Sequence, residues 1–243
     1  MIQKRVLLGS GGYRTPERVQ LLRGEMQRHF GKCKKILFIP YALADHERYV
    51  QSMIERGIDA GYELDSIHRH EDPVRAIRDA EGVFIGGGNT FRLLNDLYRF
   101  DLIEAIRNRV LSGMPYLGVS AGSNVACPTI QTTNDMPIVV PPSFDALNLV
   151  PFQLNPHYYF GAIYVKSGDQ FVEHFGETRD DRLREFHEMN ARPVIGLWEA
   201  GLLRVTDNQV ELVGTNARIF ERDQVPRDLS PGARFDADSL SPL

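Results

Sequence analysis

The alternation of short apolar runs with longer amphipathic stretches over residues 5–127 constrains the fold more than any other feature of the sequence. The short runs are rich in β-branched and aromatic residues, which predicts strands at 6–8, 36–39, 83–85 and 116–119. The stretches between them predict helices at 16–30, 46–57, 74–80 and 91–112, the last with a break near Phe100. Strands that alternate with helices are typical of β-α-β units around a parallel sheet.

The sequence changes in character after Gly122. A loop-rich stretch follows, in which prolines interrupt any long helix or central strand, at Pro128, Pro137, Pro141, Pro142, Pro151 and Pro156. A helix is predicted again near 178–189, followed by short strands at 194–197, 202–205, 210–213 and 217–220. Successive strands without intervening helices usually pair antiparallel. We therefore expect an α/β fold in which a mainly parallel sheet, flanked by helices, has an antiparallel edge near the carboxyl end.

The length of 243 residues allows one or two domains. Because one α/β unit accounts for the predicted elements, we expect a single α/β domain over residues 1–243. The tail from about Asp223 contains three further prolines and is expected to wrap or fray at the periphery.

Charge and composition exclude several classes of partner. The formal charge of −4 and the lack of a basic cluster larger than Lys32, Lys34 and Lys35 argue against nucleic acid. No run approaches the roughly 20 apolar residues that cross a bilayer, and the amino terminus lacks a signal peptide's apolar stretch. Two cysteines, Cys33 and Cys127, suit a reducing compartment. We therefore expect a cytoplasmic protein with no membrane or nucleic-acid partner.

A G-x-S-x-G motif at residues 118–122 is the sharpest sign of chemistry. It follows a predicted strand and precedes a stretch compatible with a helix, the context of a nucleophile elbow. In that context Ser120 is a nucleophile, and the backbone amide of Ala121 points at a developing oxyanion. The alternative is a tight turn that only needs small residues.

A serine nucleophile needs a base, and the chain has seven histidines. His157 is favoured because it follows Asn155 and Pro156 in the loop-rich region, which should lie above the carboxyl edge of the sheet. His68 and His70 could ligate a metal, although neighbouring histidines are more often incidental. The remaining histidines have charged surroundings typical of the surface.

An acid should orient the base, and two carboxylates are candidates. Asp135 lies in a loop between nucleophile and base, whereas Glu199 ends a predicted apolar strand. Spacing along the chain leaves both open.

A second glycine cluster, G-G-G-N at residues 86–89, follows the strand predicted at 83–85. It lacks the spacing of a dinucleotide or P-loop motif, so it gives little support to a nucleotide cofactor. In a hydrolase, the amide of Gly88 would be the second donor to the oxyanion. A helix-capping turn with Asn89 at the cap is compatible with that role.

Several ordered motifs across about half of the chain resemble the S51 family of serine peptidases, the family of the aspartyl dipeptidases called peptidase E. They are I-G-G-G-N-T-F at 85–91, G-V-S-A-G at 118–122, A-C-P-T-I at 126–130, T-T-N-D-M-P-I-V at 132–139, F-D-A-L-N-L at 144–149, N-P-H at 155–157 and G-E-T-R at 176–179. The resemblance implies a fold related to class I glutamine amidotransferases. It also implies a cytoplasmic enzyme that uses no metal or other cofactor and hydrolyses dipeptides beginning with aspartate.

Carried over by position, the resemblance makes Ser120 the nucleophile and His157 the general base. The family has been interpreted with an acid at either carboxylate position; we favour Glu199 as the orienting acid and expect Asp135 to be essential to the site. Arg179 is the expected cation for the aspartate side chain of the substrate, which a planar guanidinium can bind through two hydrogen bonds. Without the resemblance, Arg179 is equally well a surface residue at the start of a helix.

The substrate-binding residues predicted are Arg179 and Asn89, and the partner is a small acidic dipeptide. The segment 158–175 is longer than in compact members of the family, which could alter loop closure and specificity. Two other functions stay open: a cyanophycinase-like peptidase that cleaves β-aspartyl-arginine bonds, and a catalytically silent relative that binds acidic dipeptides. The sequence also leaves a homo-oligomer open.

Overall fold

A computed structural model describes residues 3–240. The helices are α1 (Pro16–Phe30), α2 (His46–Glu55), α3 (Pro73–Asp79), α4 (Thr90–Arg99), α5 (Leu102–Leu111), α6 (Ala121–Ala126) and α7 (Arg179–Met189). The strands are β1 (Arg5–Gly9), β2 (Lys35–Ile39), β3 (Glu63–Ser66), β4 (Val83–Ile85), β5 (Tyr116–Val119), β6 (Gln153–Pro156), β7 (Ile163–Ser167), β8 (Gln170–His174), β9 (Val194–Leu197), β10 (Leu202–Thr206), β11 (Gln209–Val213), β12 (Ala217–Phe220), β13 (Arg227–Leu229) and β14 (Arg234–Asp236). Over this range, no helix combines the length and apolar character that crossing a membrane requires.

The largest sheet has the strand order β14-β11-β10-β1-β5-β4-β2-β3. Strands β1 to β5 pair in parallel, and β10, β11 and β14 extend the sheet antiparallel from β1. The expected α/β fold, a mainly parallel sheet with an antiparallel edge, is confirmed. Strand β5 lies between β1 and β4, and therefore brings its carboxyl end to the middle of the sheet edge.

Helices cover both faces of this sheet. On one face α1 and α2 bury Leu22, Met26 and Met53, and on the other α4 and α5 bury Leu97 and Ile106. Parallel strands covered on both faces are continuously apolar, which explains why short β-branched runs in the sequence predict these strands. The break predicted near Phe100 is confirmed, because α4 ends at Arg99 and Asp101 takes a left-handed conformation before α5.

The last strands do not all join the same edge, contrary to the prediction. Strands β9 and β12 belong to a second sheet with the order β13-β12-β9-β6, in which β6 pairs in parallel with β9. The chain leaves β9 for the large sheet through a turn in which Ala200 has a φ of 64°. Periodicity within short strands carries no information about which sheet they join, so the sequence could not separate the two.

Two other sequence predictions also differ from the structure. The tail, expected to wrap or fray at the periphery, wraps and is not peripheral as far as Leu240: β13 and β14 complete the two sheets, and Phe235, Ala237 and Leu240 are buried in the core. Strand β3 was not predicted because three of the four residues of Glu63–Ser66 are polar, as an edge strand tolerates. Within residues 158–175, β7 and β8 form an antiparallel hairpin whose side chains are largely exposed.

The phenylalanine at the centre of the large sheet gives a test of this packing. Phe84 is fully buried in β4, 5.2 Å from the ring of Phe38 between centroids. We expect Phe84→Ala to lower the free energy of unfolding by about 3 to 5 kcal/mol, because a buried ring is lost and a cavity stays behind. Phe175→Ala removes the same atoms at a position that is 88% exposed. For that control, urea denaturation should show a free energy of unfolding within about 0.5 kcal/mol of wild type. Equal losses in both variants would contradict the placement of Phe84 in the core.

Candidate active site

Ser120 stands at the turn between β5 and α6, the strand-to-helix context that the motif predicted. Its φ of 55° and ψ of −110° lie in a region that residues with a side chain rarely adopt. Backbone hydrogen bonds hold this conformation: Ser120 N donates to Gly9 O over 2.9 Å, and Ser123 N donates to Ser120 O over 2.9 Å. The turn also requires a glycine at 122, where a Cβ would lie 2.1 Å from the carbonyl oxygen of Ile85.

His157 follows the end of β6 and reaches the serine. Its Nε2 lies 2.8 Å from Ser120 Oγ, and its Nδ1 lies 2.8 Å from Glu199 Oε1. The His157 backbone has a φ of 56°, and its N–H donates to Ser10 Oγ over 2.8 Å. A neutral imidazole that donates from Nδ1 to Glu199 can accept the serine proton at Nε2, which is the geometry of a serine, a base and an orienting acid.

Glu199 is brought to the histidine by the second sheet. Because β6 and β9 are parallel neighbours, the residues that follow them leave the same sheet edge. The hydrogen bond from His157 lowers the pKa of Glu199, and the charges of His157, Arg18 and Arg14 lower it further, while partial burial opposes them. The second carboxylate oxygen, Oε2, is buried and has no hydrogen-bond partner among the described residues.

Asp135, the other acid candidate, contacts a different part of the site. Its Oδ2 accepts hydrogen bonds from the backbone N–H of Thr90 over 2.7 Å and from the hydroxyls of Thr90 and Thr133 over 2.6 and 3.2 Å. The neighbouring Asn134 donates to the carbonyl of Pro156 over 2.7 Å. The loop containing Asp135 is thereby fixed to the start of α4 and to the residue before His157. Its carboxylate can support the site indirectly, whereas it is Glu199 that bonds to the base.

The second glycine cluster lies beside the serine. A Cβ on Gly87 would be 3.0 Å from Ser120 Cβ, so the glycine loop and the serine turn are in contact. Within residues 3–240, neither the amide of Gly88 nor that of Ala121 donates a hydrogen bond. Asn89 has its side chain occupied: Oδ1 accepts from Arg92 N over 3.0 Å at the start of α4, and Nδ2 donates to Met136 O over 2.9 Å. The capping role considered for Asn89 is therefore present.

Arg179 is the first residue of α7, whose start is capped by Thr178. Its guanidinium lies 5.6 Å from the ring of Tyr159, and its buried Nε has no hydrogen-bond partner among the described residues. Burial lowers the pKa of Arg179. The next residue, Asp180, accepts a hydrogen bond from the hydroxyl of Tyr158, which follows His157 directly. This hydrogen bond joins the residue that follows His157 to the residue that follows Arg179.

Sequence reasoning missed the contribution of the loop after β1. Ser10 Oγ accepts from His157 N and donates to Leu197 O over 2.8 Å. Gly11 and Gly12 pack against the imidazole and the carboxylate, since Cβ atoms there would lie 2.4 Å from His157 Cε1 and 2.6 Å from Glu199 Oε2. One signal in the sequence could have identified this loop. Ser-Gly-Gly follows β1, and β1, as a predicted parallel strand, ends at the same sheet edge as β5.

The histidines considered as metal ligands lie elsewhere and do not share one strand face. A 3-10 turn covers Ile67–Arg69, so His68 and His70 face different partners. His68 Nε2 is 2.9 Å from Glu47 Oε1, and His70 Nε2 is 2.9 Å from Asp65 Oδ1. In the part of the chain that the structure describes, no three His, Cys, Asp or Glu side chains are grouped so as to hold a metal ion.

Comparison with known proteins identifies the family of the chain. The model of peptidase family S51 matches residues 6–213. The chain belongs to peptidase family S51. It is 48% identical over 200 residues to a peptidase E of Streptomyces coelicolor, covering 82% of this chain and 79% of that protein. It is 43% identical over 213 residues to a probable alpha-aspartyl dipeptidase of Drosophila melanogaster, covering 86% of each.

A solved structure supports the fold. The crystal structure of a peptidase from an acI-B1 Actinobacterium matches with a TM-score of 0.67 at 16% identity, covering 96% of each chain. At this identity the likeness establishes the α/β architecture.

The depressed pKa of Glu199 makes the stability of the protein depend on pH. Because the folded state favours the ionised carboxylate, its stabilisation is present above the usual pKa of 4.5 and is lost as the pH falls through the lower folded value. We expect wild type to exceed Glu199→Gln in free energy of unfolding by more at about pH 6 than at about pH 3. Urea denaturation at both pH values measures this difference.

The matched control for this measurement is Glu188→Gln, which removes an exposed carboxylate from α7. Its difference from wild type should change less between the two pH values. If the difference in free energy of unfolding between wild type and Glu199→Gln is larger at about pH 3 than at about pH 6, the pKa of Glu199 is not lowered in the folded state.

Proposed function

We propose that this chain is a serine peptidase that hydrolyses dipeptides with an N-terminal aspartate. The observation that carries the proposal is a pair of 2.8 Å contacts: one joins Ser120 Oγ to His157 Nε2, and the other joins His157 Nδ1 to Glu199 Oε1. Membership of family S51 and relatives named peptidase E and probable alpha-aspartyl dipeptidase support the substrate class.

In the first step of this mechanism, His157 removes the proton from Ser120 Oγ, which attacks the carbonyl carbon of the peptide bond. The imidazolium that forms is stabilised by Glu199. The negative charge that develops on the carbonyl oxygen is bound by the amides of Gly88 and Ala121, both of which are free to donate.

In the following steps His157 returns the proton to the nitrogen of the leaving residue, and the peptide bond breaks. An ester between Ser120 and the aspartyl residue is left. Water, deprotonated by His157, attacks this ester and releases aspartate, and the proton returns to Ser120 Oγ. Asp135 takes no proton in this scheme. It accepts a hydrogen bond from Thr90, and its neighbour Asn134 donates to the carbonyl of Pro156, the residue before His157.

Arg179 binds the side-chain carboxylate of the aspartate in this proposal. Its partly buried guanidinium, with an unpaired Nε, favours an anion that can accept two hydrogen bonds. A substrate without the carboxylate would leave that charge unpaired, which makes the site selective. The Oδ1 and Nδ2 atoms of Asn89 are both hydrogen-bonded within the protein. In this proposal Asn89 therefore does not bind the substrate directly and instead fixes the loop that contains Gly88.

The wider cellular assignments remain part of the proposal. A cytoplasmic location is supported by Cys33 and Cys127, which form no disulfide. A small acidic dipeptide is the proposed partner, with no nucleic acid. A homo-oligomer stays a prediction that light scattering of the purified protein tests.

The first test measures hydrolysis and covalent labelling. We expect wild type to cleave Asp-Leu and to react with a fluorophosphonate, and Ser120→Ala to lose about 10⁴-fold or more in kcat and all labelling. Ser167→Ala, in the exposed hairpin, is the control and should retain both. Cleavage of β-Asp-Arg alone would favour the cyanophycinase-like alternative. If wild type neither cleaves a substrate nor reacts with the fluorophosphonate, the result favours a catalytically silent binder.

The second test concerns Arg179. We expect Arg179→Gln to lower kcat/KM for Asp-Leu by about 10- to 100-fold, which is the effect of losing a charge-assisted hydrogen bond. The kcat/KM for Asn-Leu should change little. Arg182→Gln, on the same helix and paired with Glu177 over 2.8 Å, should leave both values near wild type. Equal losses on Asp-Leu and Asn-Leu in Arg179→Gln would reject the role.

A further inference from the structure

A cavity of about 250 Å³ opens beside the serine and the histidine. Its volume lies below the range of about 300 to 1,000 Å³ that drug-sized ligands occupy, and it suits a single amino-acid residue. The loop after β1 forms one wall and the glycine loop after β4 forms the other. Ser120 and His157 both line it, so a molecule inside the cavity is in contact with the reacting groups.

The lining of this cavity has two chemically different parts. The first is apolar and is formed by Leu22, Met53, Ile58, Phe84 and Val119. The second is cationic and is formed by the side chains of Arg14 and Arg56, which are exposed residues at the rim. No Asp or Glu is among the lining residues of the described chain. A ligand with an apolar group and an anionic group therefore matches the cavity.

Both rim cations are available to an anion. Arg56 uses Nη2 to donate to the carbonyl of Tyr13 over 2.7 Å, which holds the loop after β1 against α2. Across residues 3–240, neither Arg14 nor Arg56 has a carboxylate within 4.0 Å. Glu199, whose pKa the charge of Arg14 helps to lower, is bonded to His157 through Oε1. Two unpaired guanidinium groups at the mouth of one cavity favour a carboxylate ligand.

The position of the cavity corresponds to the leaving residue of a dipeptide. His157 must protonate the leaving nitrogen, so that nitrogen lies within hydrogen-bond distance of Nε2. The side chain and the terminal carboxylate are attached one carbon further on and must therefore lie next to the imidazole. Gly11 lines the cavity and packs against the imidazole, where a Cβ would lie 2.4 Å from His157 Cε1, so a larger residue at this position would enter the space next to the ring.

We propose that this cavity is the subsite for the second residue of the dipeptide, with Arg14 and Arg56 binding its C-terminal carboxylate and the apolar part holding its side chain. This inference rests on the proposed function. Arg179 is not among the residues that line the cavity, so the two carboxylates of an Asp-Xaa substrate have separate cations. A longer peptide would place an uncharged amide where the carboxylate binds, which restricts the enzyme to dipeptides.

The test compares Asp-Leu with Asp-Leu amide, which differ only in the charge of the carboxyl end. For wild type we expect kcat/KM to favour the free acid by about 10- to 100-fold. In the double variant Arg14→Gln/Arg56→Gln this ratio should fall to about 1, through a loss on the free acid, because the charge-assisted hydrogen bonds are gone. Arg14→Lys/Arg56→Lys should keep much of the preference.

Arg28→Gln, an exposed arginine of α1 outside the cavity, is the matched control and should keep the wild-type ratio. Turnover of the amide by the double variant shows that it is folded. An equal ratio in wild type and in the double variant overturns the proposal. A loss of the preference for Asp-Leu over Asn-Leu also overturns it, since Arg14 and Arg56 would then bind the aspartate side chain.

A binding measurement separates this subsite from the proposed function. In Ser120→Ala, calorimetry should detect binding of the product leucine and weaker binding of leucinamide, and the double substitution should abolish that difference. If wild type cleaves no Asp-Xaa substrate, the proposed function fails and calorimetry alone decides on the subsite. Absence of leucine binding would then overturn the subsite as well.

Discussion

The hydroxyl of Ser10 joins the two sheets at the point where the reacting residues meet. It accepts a hydrogen bond from His157 N and donates to Leu197 O, so the end of β1 in the large sheet is fixed to the ends of β6 and β9 in the small one. Ser120 lies on the large sheet, whereas His157 and Glu199 follow strands of the small sheet. The distance between nucleophile and base therefore depends on how the two sheets are joined.

The turn at Ser120 was predictable from sequence because strand, glycine-flanked serine and helix are adjacent along the chain. The choice between Asp135 and Glu199 was not, since it depends on the parallel pairing of β6 with β9, whose residues lie about 40 positions apart. Composition and periodicity do not encode that pairing. The sequence offered these two acids, Glu199 was favoured as the orienting acid, and in the structure it is Glu199 that bonds to the base.

The parts of the site that the sequence did not reveal share a physical cause. The Ser10 hydroxyl bonds to backbone groups far away along the chain, and Gly11 and Gly12 leave room for the imidazole and the carboxylate. The two arginines of the cavity rim come from separate segments that only folding brings together. The prolines of the carboxyl-terminal tail left wrapping and fraying open, and did not indicate that Phe235 and Leu240 fill the core. Local patterns identify chemical groups more readily than the shapes that surround them.

Both reacting residues adopt a backbone conformation that disfavours side chains: φ is 55° at Ser120 and 56° at His157. Residues in such regions each cost about 1 to 3 kcal/mol, and the surrounding hydrogen bonds must offset that amount. A chain released from selection for activity could lower its energy by accepting glycine at either position. Stability and catalysis therefore favour different residues at the two positions that perform the reaction, and a drift toward greater stability would begin at the centre of the site.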